Sequence, residues 1–197
     1  MKSLLLNLLL IPCITFAQPI KLSSGMGYTI IKAPNMKKNA LGTSNMIGTE
    51  FILKEFWYLS TMIGIQATKF DYNTGYDTSI YVSKYYLSLP VSIKNYYPVS
   101  KRLSIFIDMG VCFSYNFSTK NEIFTGNTYS KINNNANGMN IGAMFSFGFK
   151  TQITRKTGFD MHIYGQSDFA SFYKNDIDKI KNDRTLLSLS LYRKLRK

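Results

Sequence analysis

The feature that most constrains this chain is a pair of long alternating segments, residues 84–97 and 103–117, on either side of a short polar turn at residues 98–102. Apolar side chains occupy one face of each segment, and Ser, Lys, Asn and Gly occupy the other. Such alternation with a period of two residues indicates β-strands. Strands of globular proteins are usually about 5–6 residues long, whereas a tilted strand needs roughly 9–11 residues to cross a bilayer. The segments therefore predict a hairpin of membrane-spanning strands, with lipid on the apolar side and a lumen on the polar side.

The N-terminal segment predicts export of the chain. Lys2 is followed by an apolar run at residues 4–11 and by a small-residue end at residues 15–17, which is the order found in secretory signal peptides. We therefore expect residues 1–17 to be cleaved after Ala17, and residues 18–197 to form one outer-membrane β-barrel domain.

The sequence contains two cysteines. Cys13 leaves a lipoprotein signal as an alternative, although Pro12 stands where such a signal has a small residue. Only Cys112 remains after cleavage, so we expect no intramolecular disulfide. We interpret Cys112 as a small buried residue rather than a reactive thiol, because no partner cysteine is left.

Alternation recurs along the rest of the chain and predicts six more strands, at residues 25–32, 44–54, 57–70, 138–153, 158–169 and 184–192. The predicted connections alternate between long ones, at 33–43, 71–79, 118–137 and 171–182, and short ones, at 55–56, 98–102 and 154–157. Outer-membrane barrels have an even number of strands, short periplasmic turns and longer external loops. The predicted fold class is therefore all-β, an eight-stranded antiparallel up-and-down transmembrane β-barrel with both termini in the periplasm. Residues 118–137 are interpreted as a long flexible loop.

Three smaller features fit a narrow barrel in a membrane. Glycines on the polar faces predict tight curvature, and Pro90 predicts a bulge or bend because it cannot donate a ladder hydrogen bond. Aromatic pairs near strand ends predict interfacial girdles. The glycines are Gly48, Gly64, Gly110, Gly142 and Gly148, and the aromatic residues are Phe56, Trp57, Tyr58, Tyr85, Tyr86, Tyr96, Tyr97, Tyr115 and Phe117.

Alternation alone does not say which face of the barrel points inward. A soluble lipocalin-like barrel that binds an apolar ligand also closes eight strands, and would have its apolar face inside. Strand length and the glycines favour a polar interior, which eight strands would fill with side chains rather than leave as a wide pore. We expect the interior charges to pair, because an unpaired buried charge is very costly. The polar residues assigned to the interior are Glu50, Lys54, Lys84, Lys94, Asp108, Lys150, Asp160, His162 and Asp168.

His162 is the only histidine in the chain, and it shares a face with Asp160 and Asp168. With Ser167 or Ser188 it suggests a small barrel enzyme that modifies outer-membrane lipid, which we keep as an alternative. The sequence lacks the common phosphate-loop, serine-hydrolase and zinc-peptidase motifs, and it lacks paired metal-ligand spacing. We therefore expect no catalytic site, cofactor or metal, and we assign His162 to packing inside the barrel.

The formal net charge of +13 invites a nucleic-acid hypothesis. The basic residues are spread over predicted turns and loops, however, and are densest at residues 193–197. In an exported protein this distribution favours contact with anionic outer-membrane lipid and lipopolysaccharide rather than with nucleic acid. A protein partner would be bound by the external loops.

The central hairpin also carries a family resemblance. The segment KYYLSLPVSIKNYYP at residues 84–98, followed by F-x-x-x-G at residues 106–110, resembles the outer-membrane β-barrel domain family common in Bacteroidetes, which includes the PorT-like barrels. The resemblance is good over this hairpin and loose elsewhere. It implies a single outer-membrane barrel of a Gram-negative cell and little about activity, so a structural or interaction role through the external loops and a PorT-like accessory role in secretion both stay open. One departure is that Tyr192 is followed by five residues, whereas such barrels typically end on an aromatic residue.

Overall fold

The structure is a computed structural model that describes residues 19–33, 36–73, 78–126, 128–134, 138–173 and 181–194. The predicted signal peptide, residues 1–17, lies outside this part of the chain. The described residues contain no helix that is long and apolar enough to cross a membrane. The strands are β1 (Pro19–Ala33), β2 (Met36–Lys54), β3 (Trp57–Asn73), β4 (Thr78–Pro98), β5 (Leu103–Thr125), β6 (Thr128–Asn134), β7 (Gly138–Gln152), β8 (Thr157–Tyr173) and β9 (Lys181–Lys194).

All of these strands except β6 form a closed ring in chain order. Each ring strand is antiparallel to both of its neighbours, β4 pairs directly with β5, and β5 pairs with β7. The ring closes where β1 pairs with β9, from Ile20 opposite Arg193 to Lys32 opposite Lys181. A closed ring satisfies the backbone hydrogen bonds without leaving an edge, which a bilayer requires. The predicted eight-stranded antiparallel up-and-down barrel is confirmed.

The three short connections lie at one end of the barrel, which we call the turn end; the opposite end is the loop end. They fall at residues 55–56, 99–102 and 153–156, as the sequence predicts, and β1 begins and β9 ends on the same side. Phe56 has a φ of 65°, a left-handed conformation that is uncommon for a bulky residue. Ser100 stabilises the second turn, because its Oγ accepts a hydrogen bond from the backbone N–H of Leu103 at 3.2 Å.

The predicted long loops at residues 33–43, 71–79 and 118–137 are wrong over most of their length, because strands continue through them. Of the fourth predicted loop, residues 171–173 and 181–182 belong to strands, and residues 174–180 lie outside the described part of the chain. β1 and β2 stay paired up to Ala33 and Met36, and β3 and β4 stay paired up to Asn73 and Ser79. Alternation disappears there because these segments are polar on both faces. Backbone pairing needs only a partner strand, and it persists after the hydrophobic pattern has ended.

Residues 118–137, predicted to be a flexible loop, instead extend the sheet. β5 runs on to Thr125, and β6 folds back on it so that Thr128 faces Thr125 and Asn134 faces Thr119. Gly126, in the turn between them, has a φ of 54°, which glycine adopts readily. β6 is thus an addition to the ring, which still consists of eight strands.

The barrel is polar inside and apolar outside. On β1, Lys21 is 1% exposed while its neighbour Leu22 is 58% exposed, and on β9 Ser188 is buried between exposed Leu187 and Leu189. β5 and β7 show the same alternation of buried polar and exposed apolar residues over their central parts. A lipocalin-like barrel requires the opposite arrangement, so that alternative is wrong.

Close packing between strands explains several of the glycines. A Cβ atom on Gly110 would lie 2.1 Å from the carbonyl oxygen of Val91, and one on Gly148 would lie 2.3 Å from that of Met161. Real Cβ contacts are not that short, so these strands can approach only if the residue is glycine. The predicted role of these glycines in a tightly curved wall is consistent with this geometry.

Two details of β4 differ from the sequence interpretation. Its register against β5 is regular at Pro90, which faces Cys112, and the register shift lies between Tyr85 and Tyr86 instead. No bulge lies at Pro90, but the pairing of β4 with β3 is interrupted there, because Thr61 pairs with Val91 and Gly64 with Ser88 while Leu89 and Pro90 between them have no partner on β3. Tyr86 and Tyr96, assigned to the aromatic girdles, are 0% and 7% exposed inside the barrel, because their polar tips find partners there. Trp57, Tyr97 and Tyr115 are exposed, as a girdle requires.

Candidate functional site

The turn-end half of the barrel interior is built around Glu50, whose side chain is 0% exposed. Its carboxylate accepts hydrogen bonds from the Nζ atoms of three lysines. The distances are 3.1 Å to Lys21, 3.1 Å to Lys94 and 3.2 Å to Lys150. The hydroxyl of Tyr96 donates at 2.8–2.9 Å. Glu50 therefore has charged or polar partners on β1, β4 and β7, and these offset the free-energy cost of burying its carboxylate.

Two further carboxylates balance the lysines. Asp160 on β8 forms an ion pair with Lys21, and Asp108 on β5 lies 3.7 Å from the Nζ of Lys94. We call Glu50, Lys21, Lys94, Lys150, Asp108 and Asp160 the Glu50 cluster. It contains three positive and three negative side chains, so its formal charge is zero. The predicted pairing of interior charges is confirmed at this cluster.

Aromatic rings close the Glu50 cluster at the remaining strands. Tyr58 on β3 packs edge-on against Tyr96, with ring centroids 5.1 Å apart. The Nζ of Lys150 lies 4.4 Å from the ring centroid of Tyr192 on β9, a cation–π distance. The cluster and its rings thus draw on all eight ring strands and tie the barrel wall together from the inside.

A second network occupies the loop-end half of the interior and is centred on Arg184. Its guanidinium donates to Gln66 and lies 4.8 Å from the ring centroid of Tyr86. Gln166 donates to Asp168 at 2.8 Å, and Asp168 also accepts from Asn140 and Asn182. We call this the Arg184 network. It fills the barrel with hydrogen-bonded polar side chains above the Glu50 cluster.

A cavity of about 240 Å³ lies at the turn end and is lined by Glu50, Tyr96 and Lys150, among others, but little open space remains between the two networks. The interior cavity between them has a volume of about 30 Å³ and is lined by Lys21, Ser44, Met46, Met144 and Tyr164, among others. A space of this size holds about one water molecule. The interior is therefore a packed core rather than a passage for solutes.

The structure places His162 inside the barrel, beside Asp160 on β8 and opposite Ser188 on β9. It is largely buried, its Nδ1 is 3.8 Å from Asp160, beyond hydrogen-bond distance, and this atom has no hydrogen-bond partner. The ring packs against Phe106 at a centroid distance of 5.7 Å. Ser167 lies on the outer face and donates to Asp183 instead. Ser188, opposite His162 on β9, lines the small interior cavity that no lipid substrate could enter.

In the part of the chain that the structure describes, no three His, Cys, Asp or Glu side chains come together as metal ligands. Cys112 is buried, as predicted, and its Sγ lies 3.6 Å from the Oγ of Ser114.

The surface beyond the loop end of the ring is different in character. The β5–β6 hairpin extends there, and its Phe124 and Tyr129 share one face with Tyr81 of the neighbouring strand β4; each of the three is 40–55% exposed. The rings contact one another, with centroid distances of 5.5 Å for Tyr81–Phe124 and 5.0 Å for Phe124–Tyr129. We call these three residues the aromatic cluster of the hairpin. Exposed aromatic residues of this kind are typical of interaction surfaces.

Most of the predicted interior residues lie where the sequence placed them: Glu50, Lys84, Lys94, Asp108, Asp160 and Asp168 are buried. Lys54 is wrong. A register shift between Ile52 and Lys54 ends the alternation there, and Lys54 is exposed.

Sequence reasoning missed Lys21 and Arg184, the central cations of the two networks. The first strand was predicted to begin at residue 25, which left Lys21 outside it, whereas β1 begins at Pro19. A strand that pairs with both β2 and β9 from Ile20 onward places Lys21 inside. The alternation pattern could have identified Arg184 as an interior residue, because Arg184 shares its face of the strand with Ser188 and Ser190.

No family model matches the sequence, and no curated protein matches it. Solved structures do. The outer membrane protein OprG from Pseudomonas aeruginosa superposes with a TM-score of 0.52 at 12% identity, over 89% of this chain and 96% of that one. Neisserial surface protein A gives 0.49 at 10% identity over 89% and 97%. Ail of Yersinia pestis, in complex with the heparin analogue sucrose octasulfate, gives 0.47 at 11% identity over 89% and 99%.

These comparisons bear on the fold. The similarity to OprG extends over nearly the whole of both chains, so the architecture is that of an outer-membrane β-barrel. The identities are too low to carry over the binding properties of these proteins.

Proposed function

We propose that this chain is an integral outer-membrane protein that acts without catalysis, as a structural and interaction protein, through the surfaces that it extends beyond the loop end of the ring. The observation that carries the proposal is the inverted polarity of the barrel. Exposed apolar side chains cover the wall, as Leu22, Ile63, Phe147 and Leu189 illustrate, while the neutral Glu50 cluster and the Arg184 network occupy the interior. Such a wall needs lipid, and such an interior neither conducts solutes nor admits a substrate.

Membrane integration is tested by gel mobility and fractionation. The folded protein should be recovered in the outer-membrane fraction, and its migration on a denaturing gel should change when it is boiled. Folded membrane barrels resist the detergent until heated. Recovery from the soluble periplasm without detergent would contradict the proposal.

We propose further that both termini and the three short turns face the periplasm, and that the loop end faces outward. The short lengths of the connections at residues 55–56, 99–102 and 153–156 support this orientation, because periplasmic turns of such barrels are short.

Cysteine labelling on intact cells tests the orientation. In a Cys112→Ser background, Ser130→Cys on the hairpin should react with a membrane-impermeant maleimide, whereas Lys101→Cys on a turn should not. Both sites are exposed, so the two variants differ only in the side of the membrane on which they lie. The reverse pattern would contradict the orientation.

This orientation leads us to propose two kinds of partner. Anionic lipid and lipopolysaccharide would meet the basic side chains near both rims, such as Lys101, Arg102 and Lys120, and a protein partner would meet the loop-end surface. The segments at residues 84–98 and 106–110, which resemble PorT-like barrels, support an accessory role in secretion as the finer form of the proposal. Deletion of the gene should then reduce the amount of exported protein in the medium, and unchanged secretion would exclude that role while leaving the membrane barrel intact.

A further inference from the structure

Among the strands that the structure describes, one has a free edge. β6 pairs with β5 on one side, from Thr125–Thr128 to Thr119–Asn134, and has no second strand partner among the residues that the structure describes. Every other strand has a partner on both sides. An unpaired edge presents a row of backbone N–H and C=O groups that can bind another strand.

The position of β6 leaves this edge accessible. β5 continues to Thr125, about eight residues beyond Phe117 at the end of its alternating apolar face, which at about 3.3 Å per residue takes the hairpin roughly 26 Å along the strand direction past the wall. The side chains of Tyr129, Lys131 and Ile132 are exposed. Since the hairpin stands outside the lipid-facing wall, water or a partner rather than lipid meets the edge.

The direction of the free groups follows from the hairpin. A two-residue connection closes on a pair that exchanges both backbone hydrogen bonds, and here that pair is Thr125 and Thr128. The next residue on β6 therefore points its N–H and C=O away from β5, and alternation repeats this two residues later. Tyr129 and Lys131 thus supply backbone groups to the free edge.

Side chains beside the edge indicate what would bind there. Phe124 and Tyr129 face each other across the hairpin, with ring centroids 5.0 Å apart, and Glu122 and Lys131 form an ion pair at 3.9 Å. The face of β6 thus shows one aromatic and one basic side chain, two residues apart. A strand on the other side would meet the same pair, so apolar and acidic residues in alternation would complement it.

We propose that the free edge of β6 binds an extended segment of a partner protein by adding it as a further antiparallel strand, with an apolar side chain against Tyr129 and an acidic one near Lys131. This deepens the proposed function by naming the partner class at the loop end. A single lysine on a short edge strand can instead protect that edge from pairing, and the experiment distinguishes the two roles.

The probe is a fluorescently labelled peptide with the sequence of residues 118–126, STKNEIFTG, which carries the side chains that already complement β6 from the β5 side. Its binding to the folded full-length barrel in detergent micelles is measured by fluorescence anisotropy. We expect saturable binding, and no saturable binding of a scrambled peptide of the same composition.

A matched pair of variants separates backbone from side chain. Lys131→Pro removes both the side-chain charge and the N–H that points to the free edge, whereas Lys131→Ala removes only the charge. We expect Lys131→Pro to weaken peptide binding about tenfold or more relative to Lys131→Ala. Equal binding by the two variants, or no saturable binding by the unaltered protein, would overturn the proposal.

Fold is checked on the same samples. The change in gel migration on boiling reports whether each variant has a closed barrel. A barrel that is closed but does not bind the peptide overturns the edge proposal alone, whereas loss of the gel shift in the unaltered protein would contradict the proposed membrane function.

Discussion

Glu50 is the residue on which the interior depends most. Replacing it by Gln removes the one carboxylate that three lysines share, and leaves the Glu50 cluster with an uncompensated buried charge. Breaking a buried ion pair by removing one partner costs about 3–5 kcal/mol, so we expect Glu50→Gln to lower the free energy of unfolding by that amount. Urea unfolding followed by the fluorescence of Trp57, the only tryptophan, measures it.

The chain offers a matched control at Glu122. Its carboxylate pairs with Lys131 at 3.9 Å, and the two side chains are 42% and 46% exposed. Exposed pairs contribute about 0–1 kcal/mol, so Glu122→Gln should change the unfolding free energy by less than that. Equal effects of the two variants would mean that the Glu50 cluster does not stabilise the barrel.

Glycines in the wall give a second prediction at this scale. A Cβ on Gly110 would lie 2.1 Å from Val91 O and 2.5 Å from Ser92 Cα, whereas one on Gly165 would meet its nearest atom at 3.6 Å. Forcing an extra methyl group into close packing costs about 1–3 kcal/mol. Gly110→Ala should therefore lose at least that much stability or fail to fold, and Gly165→Ala should fold normally. Comparable refolding yields and urea midpoints for the two would contradict the close approach of β4 and β5.

Among the elements, the hairpin of β5 and β6 should be dispensable for the barrel. Asn121 and Ile132 are cross-strand partners, so an Asn-Gly turn can join them in place of residues 122–131. We expect the gel shift to remain and the unfolding free energy to change by less than about 1 kcal/mol, because the apolar wall and the interior networks stay intact.

A disruption within the ring is the comparison for this deletion. Leu189→Pro removes a backbone donor from β9 between β1 and β8, and should abolish the gel shift. If the shortened hairpin abolished it too, the extension would be part of the barrel's folding unit.

The ring strands were predictable because a membrane barrel requires apolar and polar side chains to alternate along every strand that crosses the bilayer. That constraint reveals the faces of β5 and β7 and the buried positions of Glu50 and Asp160. It ends where the wall ends, so the continued pairing of β1 with β2 and the existence of β6 left no trace in the hydrophobic pattern. Partner choice inside the barrel was also hidden, since Lys21 and Glu50 are 29 residues apart and meet only once the ring closes.

At the scale of the whole molecule, the side chains that fill the interior predict that the barrel does not conduct ions. The cavity of about 30 Å³ holds roughly one water molecule, and the Glu50 cluster and the Arg184 network lie on either side of it. Purified protein inserted in a planar lipid bilayer should therefore show no discrete conductance steps. Reproducible steps would mean that a continuous water-filled path crosses the barrel.

The central claim is that the apolar face of every ring strand meets lipid while the polar face lines a closed interior. Leu186 and Leu187 test it side by side, because Leu186 is 0% exposed inside the barrel and Leu187 is 56% exposed on the wall. In methyl-labelled protein in detergent micelles, nuclear Overhauser effects from the detergent acyl chains should reach the methyl groups of Leu187, Leu189 and Leu191, and none should reach Leu186. Contacts to Leu186 with none to Leu187 would contradict the account.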